Sequence, residues 1–97
     1  MPTYVSLINF TDQGIRNVKD TTKRLEAAKA QGEKMGAKLV NYYYTLGPHD
    51  GVAVVEAKDE ESFTAFMLAV GAAGNARSTS MRAFSPSEMD RMLGKLK

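Results

Sequence analysis

Cysteine and tryptophan are absent from this chain, histidine occurs once, and there are three prolines. The missing thiols exclude disulfides, thiolate nucleophiles and cysteine-ligated metal. A single histidine cannot supply the several convergent ligands that a metal centre needs, so no metal and no cofactor are expected. Long apolar runs are also lacking: stretches such as Phe66–Ala73 fall well short of the roughly 20 residues of a membrane span. The opening MPTYVSLINF has no basic region ahead of an apolar one and no small-residue cleavage site, which leads to the expectation of a soluble, cytoplasmic protein with no membrane partner. Nor does charge of one sign dominate. The 13 basic and 11 acidic residues are spread along the whole chain, giving a net charge of +2 and no concentrated field to attract phosphate backbones or anionic lipid.

What is present is 43% hydrophobic content in 97 residues, enough for one core in a single domain over 1–97. A chain this short keeps much of its surface in water. Burial against another copy of itself is an efficient way to gain stability, so a homodimer or higher homo-oligomer is expected. No internal repeat, low-complexity tract or linker divides the chain.

Thr3–Phe10 alternates imperfectly, with Val5 and Leu7 on one face and Tyr4, Ile8 and Phe10 on the other, as a strand covered on both sides would. TDQG breaks the run. The spacing of Val18, Leu25, Ala28 and Met35 predicts a first helix over Ile15–Met35 with a charged outer face, kinked or restarted at Asp20-Thr21-Thr22 with Asp20 as a cap, and stopped by Gly36. Lys38–Leu46 and Gly51–Ala57 carry tyrosine, valine and threonine suited to a pleated surface and read as strands two and three. Asp59 caps a second helix whose buried stripe is Phe63, Phe66, Met67 and Val70; Gly74-Asn75 ends it, and Arg77–Phe84 is strand four. FSPSEMDRML then gives the clearest local signal: Ser85 as N-cap, Pro86 at the first helical position, Glu88 closing a capping box, and Phe84 with Met89 as a hydrophobic staple. The order β-α-β-β-α-β plus a helix specifies an α+β, ferredoxin-like antiparallel sheet with two helices on one face. The other face is left for a partner's sheet, the added helix or a ligand.

The connection Gly47-Pro48-His49-Asp50 fits a type I turn, and Gly51 lets the chain enter the next strand. That geometry accounts for the glycines and the proline but requires neither His49 nor Asp50. Imidazole can serve as a base or proton shuttle. A carboxylate at the start of a strand either locks the turn through backbone N–H groups or holds the amine or hydroxyl of a small ligand. Asn9, Tyr43 and Arg77 are further candidates for a polar lining, against plainer roles as strand end, packing residue and solvated sheet edge. Three consecutive tyrosines, Tyr42–Tyr44, place one ring opposite to the other two.

The segments MPTYVSLINFTDQGIRNVKD, LGPHD and GNARSTSMRAFSPSEM resemble the GYD-domain proteins, small bacterial proteins named for a Gly-Tyr-Asp signature. The resemblance covers essentially the whole chain, most specifically Phe10–Ile15 and Arg77–Phe84, and His49 stands where the family has the tyrosine before the aspartate. It implies a ferredoxin-like fold of the dimeric α/β-barrel type and no settled biochemical function. Half of the chain is also similar to the effector-binding domain of leucine-responsive transcription regulators, with its Gly-x-x-Asp hairpin, helix and threonine-rich last strand. That similarity implies an amino-acid site between subunits and points to Gly47, Asp50 and Thr79; the helix-turn-helix of those regulators is absent.

The leading expectation is therefore a homo-oligomeric module that binds a small metabolite near the hairpin through Gly47, His49, Asp50, Asn9, Tyr43, Arg77 and Thr79, with no catalytic residue assigned. The alternative is a cofactor-independent enzyme, monooxygenase- or isomerase-like, of the dimeric α/β-barrel type. There His49 oriented by Asp50 would be the base, and Tyr43 or Arg77 would stabilise an oxyanion. Adjacent residues in an extended segment point to opposite sides, which counts against the pair His49–Asp50. RNA binding, which shares this topology, requires stacking aromatics on the central strand, and GVAVVEA has none. Nucleic acid is therefore not an expected partner. The six methionines read as core or interface filler.

Overall fold

The computed structural model describes residues 1–96. Its elements are β1 (Thr3–Phe10), α1 (Asp12–Arg16), a 3-10 turn (Val18–Asp20), α2 (Thr21–Lys34), β2 (Ala37–Tyr44), β3 (Gly51–Ala57), α3 (Glu60–Ala72), β4 (Ala76–Ala83) and α4 (Pro86–Leu93). The four strands form one sheet in the order β2-β3-β1-β4, with every neighbouring pair antiparallel. This is the ferredoxin-like arrangement that the element order specifies. Among the described residues, no helix is long and apolar enough to cross a membrane.

Alternation along β1 and β3 divides the sheet into two faces. Tyr4, Ser6 and Ile8 of β1 and Ala53, Val55 and Ala57 of β3 are buried beneath α2 and α3, joined by Phe63 and Phe66 from α3. Tyr4 stacks flat on Phe63, with ring centroids 3.9 Å apart. Strand β2 keeps to this pattern through a bulge. Leu39 pairs with Val55 but Asn41 with Val54, so Val40 is an extra residue that turns Tyr42 and Tyr44 toward the helices and leaves Tyr43 on the other face.

The single first helix expected over Ile15–Met35 is three pieces. Thr11 caps α1 by accepting the Gly14 N–H, the helix stops at Asn17 after five residues, and α2 begins only at Thr21. Asp20 precedes α2 but its side chain makes no capping bond. Close packing explains the early break. Gly14 lies against the backbone of Asn75, whose carbonyl oxygen accepts the Thr11 N–H at 3.1 Å, and α1 is thereby held to the start of β4 instead of running on into α2. At the other end, Ser85 and Glu88 form the full capping box of α4. That helix makes no extensive contact with any other described element, and Met89, Leu93 and Leu96 are exposed. The radius of gyration is 14.7 Å. A compact chain of this length would have about 12.5 Å, so α4 extends the molecule.

Gly14→Ala tests the junction. Alanine favours a helix over glycine by about 1 kcal/mol, but its Cβ would overlap the Asn75 carbonyl oxygen, a backbone atom that cannot move without breaking the Thr11 bond. Overpacking wins, and urea unfolding is expected to show a net loss of about 1–3 kcal/mol.

Candidate functional site

The β2–β3 connection closes differently from a type I turn. The Asp50 N–H is not given to Gly47; it donates to the Ile8 carbonyl of β1 at 2.8 Å, while Thr45 N–H donates to the Asp50 carbonyl at 2.9 Å. The Thr45 hydroxyl donates to the His49 carbonyl at 2.6 Å, which spans the loop. Gly47 at the tip has φ +105°, a conformation that side chains rarely adopt. The Asp50 carboxylate accepts the Phe10 N–H at 2.8 Å, so its charge is spent on the end of β1.

On the face without helices, the His49 ring meets Asn9: the Asn9 amide donates to the Pro48 carbonyl at 3.3 Å, and its oxygen lies 2.8 Å from His49 Nδ1. With the amide so oriented, His49 Nδ1 carries a proton and Nε2 is left as the free acceptor of the neutral ring. One cross-strand row away, Tyr43, Val52, Leu7 and Thr79 line up from β2 to β4 on the same face. Tyr43 is 63% exposed. Arg77 pairs with Asn9 by register, but its guanidinium turns around the free edge of β4 toward Gly71 of α3. The structure thus gathers Asn9, His49, Tyr43 and Thr79 at one end of the open face, places Gly47 at the hairpin tip, and directs Asp50 and Arg77 elsewhere. Behind the polar end lie Val5, Leu7, Val52 and Val54, partly covered, and Met81, 47% exposed.

The opposite face holds a feature that residue-by-residue reading missed. Between α2, α3 and the sheet is a cavity of about 270 Å³, floored by Ile8, Ala53 and Val55 and lined by none of the seven predicted residues. Alanines on α2, α3, β3 and β4 leave the space, a deficit of volume shared by four elements that no local pattern displays. At its hairpin end Tyr42 packs its hydroxyl against Gly51, where a Cβ would collide with it. Tyr42 and Tyr44 meet edge to face at 5.0 Å, and the Tyr44 hydroxyl lies 3.2 Å from that of Thr21. Burial, followed by the nearby Tyr44 and Asp50, pushes the Tyr42 phenol from 10.0 up to about 12.

That displacement has a sign. The folded state holds the Tyr42 proton more tightly than the unfolded chain does, so its stabilising contribution is complete below pH 10 and is lost as pH rises through about 12. Thermal melts from pH 9 to 12 should fall less steeply for Tyr42→Phe than for the unaltered chain, and the latest phase of the tyrosinate absorbance titration should vanish in that variant.

Comparison with known proteins agrees with this architecture. A curated relative from Thermus thermophilus, named as a glutamine synthetase and cystathionine beta-lyase binding protein, is 29% identical over 90 residues, covering 92% of this chain and 95% of the relative. The crystal structure of TTHA0845 from the same organism superposes with a TM-score of 0.55 at 23% identity, covering 88% of this chain and 95% of that one, a likeness of fold. The GYD domain model matches residues 4–93, and the chain belongs to the GYD domain family.

Proposed function

We propose that this chain is a cytoplasmic, homo-oligomeric binding module: the open sheet face packs against a second copy, and the polar hairpin end of that face contacts a small metabolite between the copies. The observation that supports this reading most is the open face itself. Val5, Leu7, Val52 and Val54, with Tyr43 and Met81, form an apolar surface on the side of the sheet away from α2 and α3, and α4 offers further exposed apolar residues. Contiguous exposed apolar area marks interaction sites. A two-fold pairing would set the Asn9–His49 pair near the rim of the interface, where Tyr43 and Thr79 supply hydroxyls and His49 Nε2 an acceptor. Asp50 contributes by holding the hairpin in place.

A second reading follows from the relative named for binding two enzymes. On this reading the same surface, with α4, docks onto an enzyme subunit, and the module acts as a protein partner. The enzyme alternative has less support, because the Asp50 carboxylate that would orient His49 as a base accepts the Phe10 N–H, and the His49 Nδ1 meets Asn9 instead.

Light scattering after size exclusion separates these possibilities. The chain is expected to elute at a multiple of its 10.6 kDa mass, and Leu7→Glu should return it to a single protomer, because a carboxylate on each copy would have to be buried unpaired. A chain that is monomeric at micromolar concentration would refute self-association and favour the enzyme-docking reading. In a thermal-shift screen with amino acids, a metabolite held at the hairpin end should raise the melting temperature of the unaltered chain more than that of Asn9→Ala.

A further inference from the structure

The cavity between α2 and α3 has a lining whose chemistry selects a guest. A void of about 270 Å³ is larger than ordinary core packing leaves, and a leucine at Ala28, Ala53 or Ala69 would reduce it. Among the described residues that line it, Arg24 alone is charged, with no aspartate, glutamate, lysine or second arginine beside it. The Arg24 guanidinium is held in place by two backbone carbonyls, Asn17 at 2.6 Å and Gly14 at 3.3 Å, which take two of its five N–H groups. The remaining N–H groups are not taken by any of these bonds, and Arg24 borders the cavity. Thr21, one turn earlier on α2, the phenols Tyr42 and Tyr44, and the amides Gln31 and Asn75 bring uncharged polar groups to the lining. Raised to about 12, the Tyr42 phenol remains protonated near neutral pH and available as a donor.

We propose that this cavity binds a monocarboxylate with an apolar body, the carboxylate taken by Arg24 with a tyrosine hydroxyl as a further donor, and the body lying among Leu25, Val55, Phe66 and Val70. Complementarity of charge carries the choice. A planar guanidinium matches a carboxylate with two parallel bonds. A neutral guest would cover Arg24 without pairing it, and a cation would be repelled. The volume is just below that of usual ligand pockets, about 300–1,000 Å³, and suits a medium-length chain or a single ring better than a large cofactor. This site is on the other side of the sheet from the proposed interface and stands independently of it.

Isothermal titration with octanoate, octanamide and octylamine tests the assignment. Octanoate is expected to bind at least about tenfold more tightly than octanamide, as a charge-assisted pair should, and octylamine should not saturate. Arg24→Gln should abolish the preference for the acid, and Ala69→Leu, which fills the space with a good helix former, should abolish binding of both probes. Arg24→Lys provides the control should the glutamine variant fail to fold: it keeps the charge, loses the fork, and should bind octanoate more weakly while still preferring it to the amide. Equal affinity for octanoate and octanamide in the unaltered chain would overturn the pairing with Arg24. Absence of saturable octanoate binding, or binding undiminished in Ala69→Leu, would overturn the site, whatever the oligomeric state proves to be.

Discussion

Asp50 spends every polar group it has on backbone. Its N–H donates to Ile8, its carbonyl accepts from Thr45, and its carboxylate accepts from Phe10. Three strand ends therefore meet at one residue just beyond the last β1–β3 pair, Ile8 with Gly51. A hydrogen bond to a charged group contributes about 1.5–3 kcal/mol, more than a neutral one, but register is the larger consequence. A slip of one residue between β1 and β3 would carry Tyr4, Ser6 and Ile8 to the outside, and the clamp opposes that slip where a hairpin would otherwise fray. The same end of β1 is held from the other side: Thr11 donates through its N–H to the Asn75 carbonyl and through its hydroxyl to that of Gly74. β1 is thus fixed between the hairpin and the turn that starts β4.

With that register fixed, neighbouring residues become residents of different sites. Asn9 projects to the open face beside His49, whereas Phe10 projects into the cavity. Tyr43 lies outside and Tyr42 and Tyr44 inside, a division that depends on the bulge at Val40. Without the extra residue, the alternation started by Ala37 and Leu39 would have put Asn41 and Tyr43 over the core. The void would then have lost the phenols that border it.

Strand and helix order was legible because the chain announces it: the alternation in β1, the Asp59 and Ser85 caps, and the glycines after the helices all act locally. That one of the three consecutive tyrosines opposes the other two was likewise a matter of period, whereas the face each takes depends on the bulge at Val40. What escaped was decided between distant segments. Thr11 is a good N-cap by residue type, but that α1 ends after five residues depends on Gly14 meeting Asn75, 61 positions away. The Asp50 N–H goes to β1 because β1 is there to receive it, a fact absent from the tetrapeptide Gly47–Asp50. Asp50 also shows why its two alternatives were hard to separate: a carboxylate that locks a turn and one that holds an amine look alike in sequence. Arg77 reads as an open-face residue by register, yet a long side chain on an edge strand is free to turn around it. The cavity is the extreme case, since each alanine around it is an ordinary helix or strand residue.

Scale separates the two surfaces as binding sites. A sheet face crossed by four strands is of macromolecular dimensions, and a small metabolite would cover only part of it. The space between α2 and α3, about 270 Å³, is of small-molecule dimensions. A chain of fewer than a hundred residues can carry both because the sheet is one backbone thick, with α2 and α3 committed to the same side. The thinness has a thermodynamic corollary. A guest that displaced Phe10 would act on the strand that carries Asn9, and any effect of cavity occupancy on affinity at the open face must be matched by an equal effect in reverse. The mechanical route for such an effect is a single strand end, and its stiffness is set by the bonds that converge on Asp50.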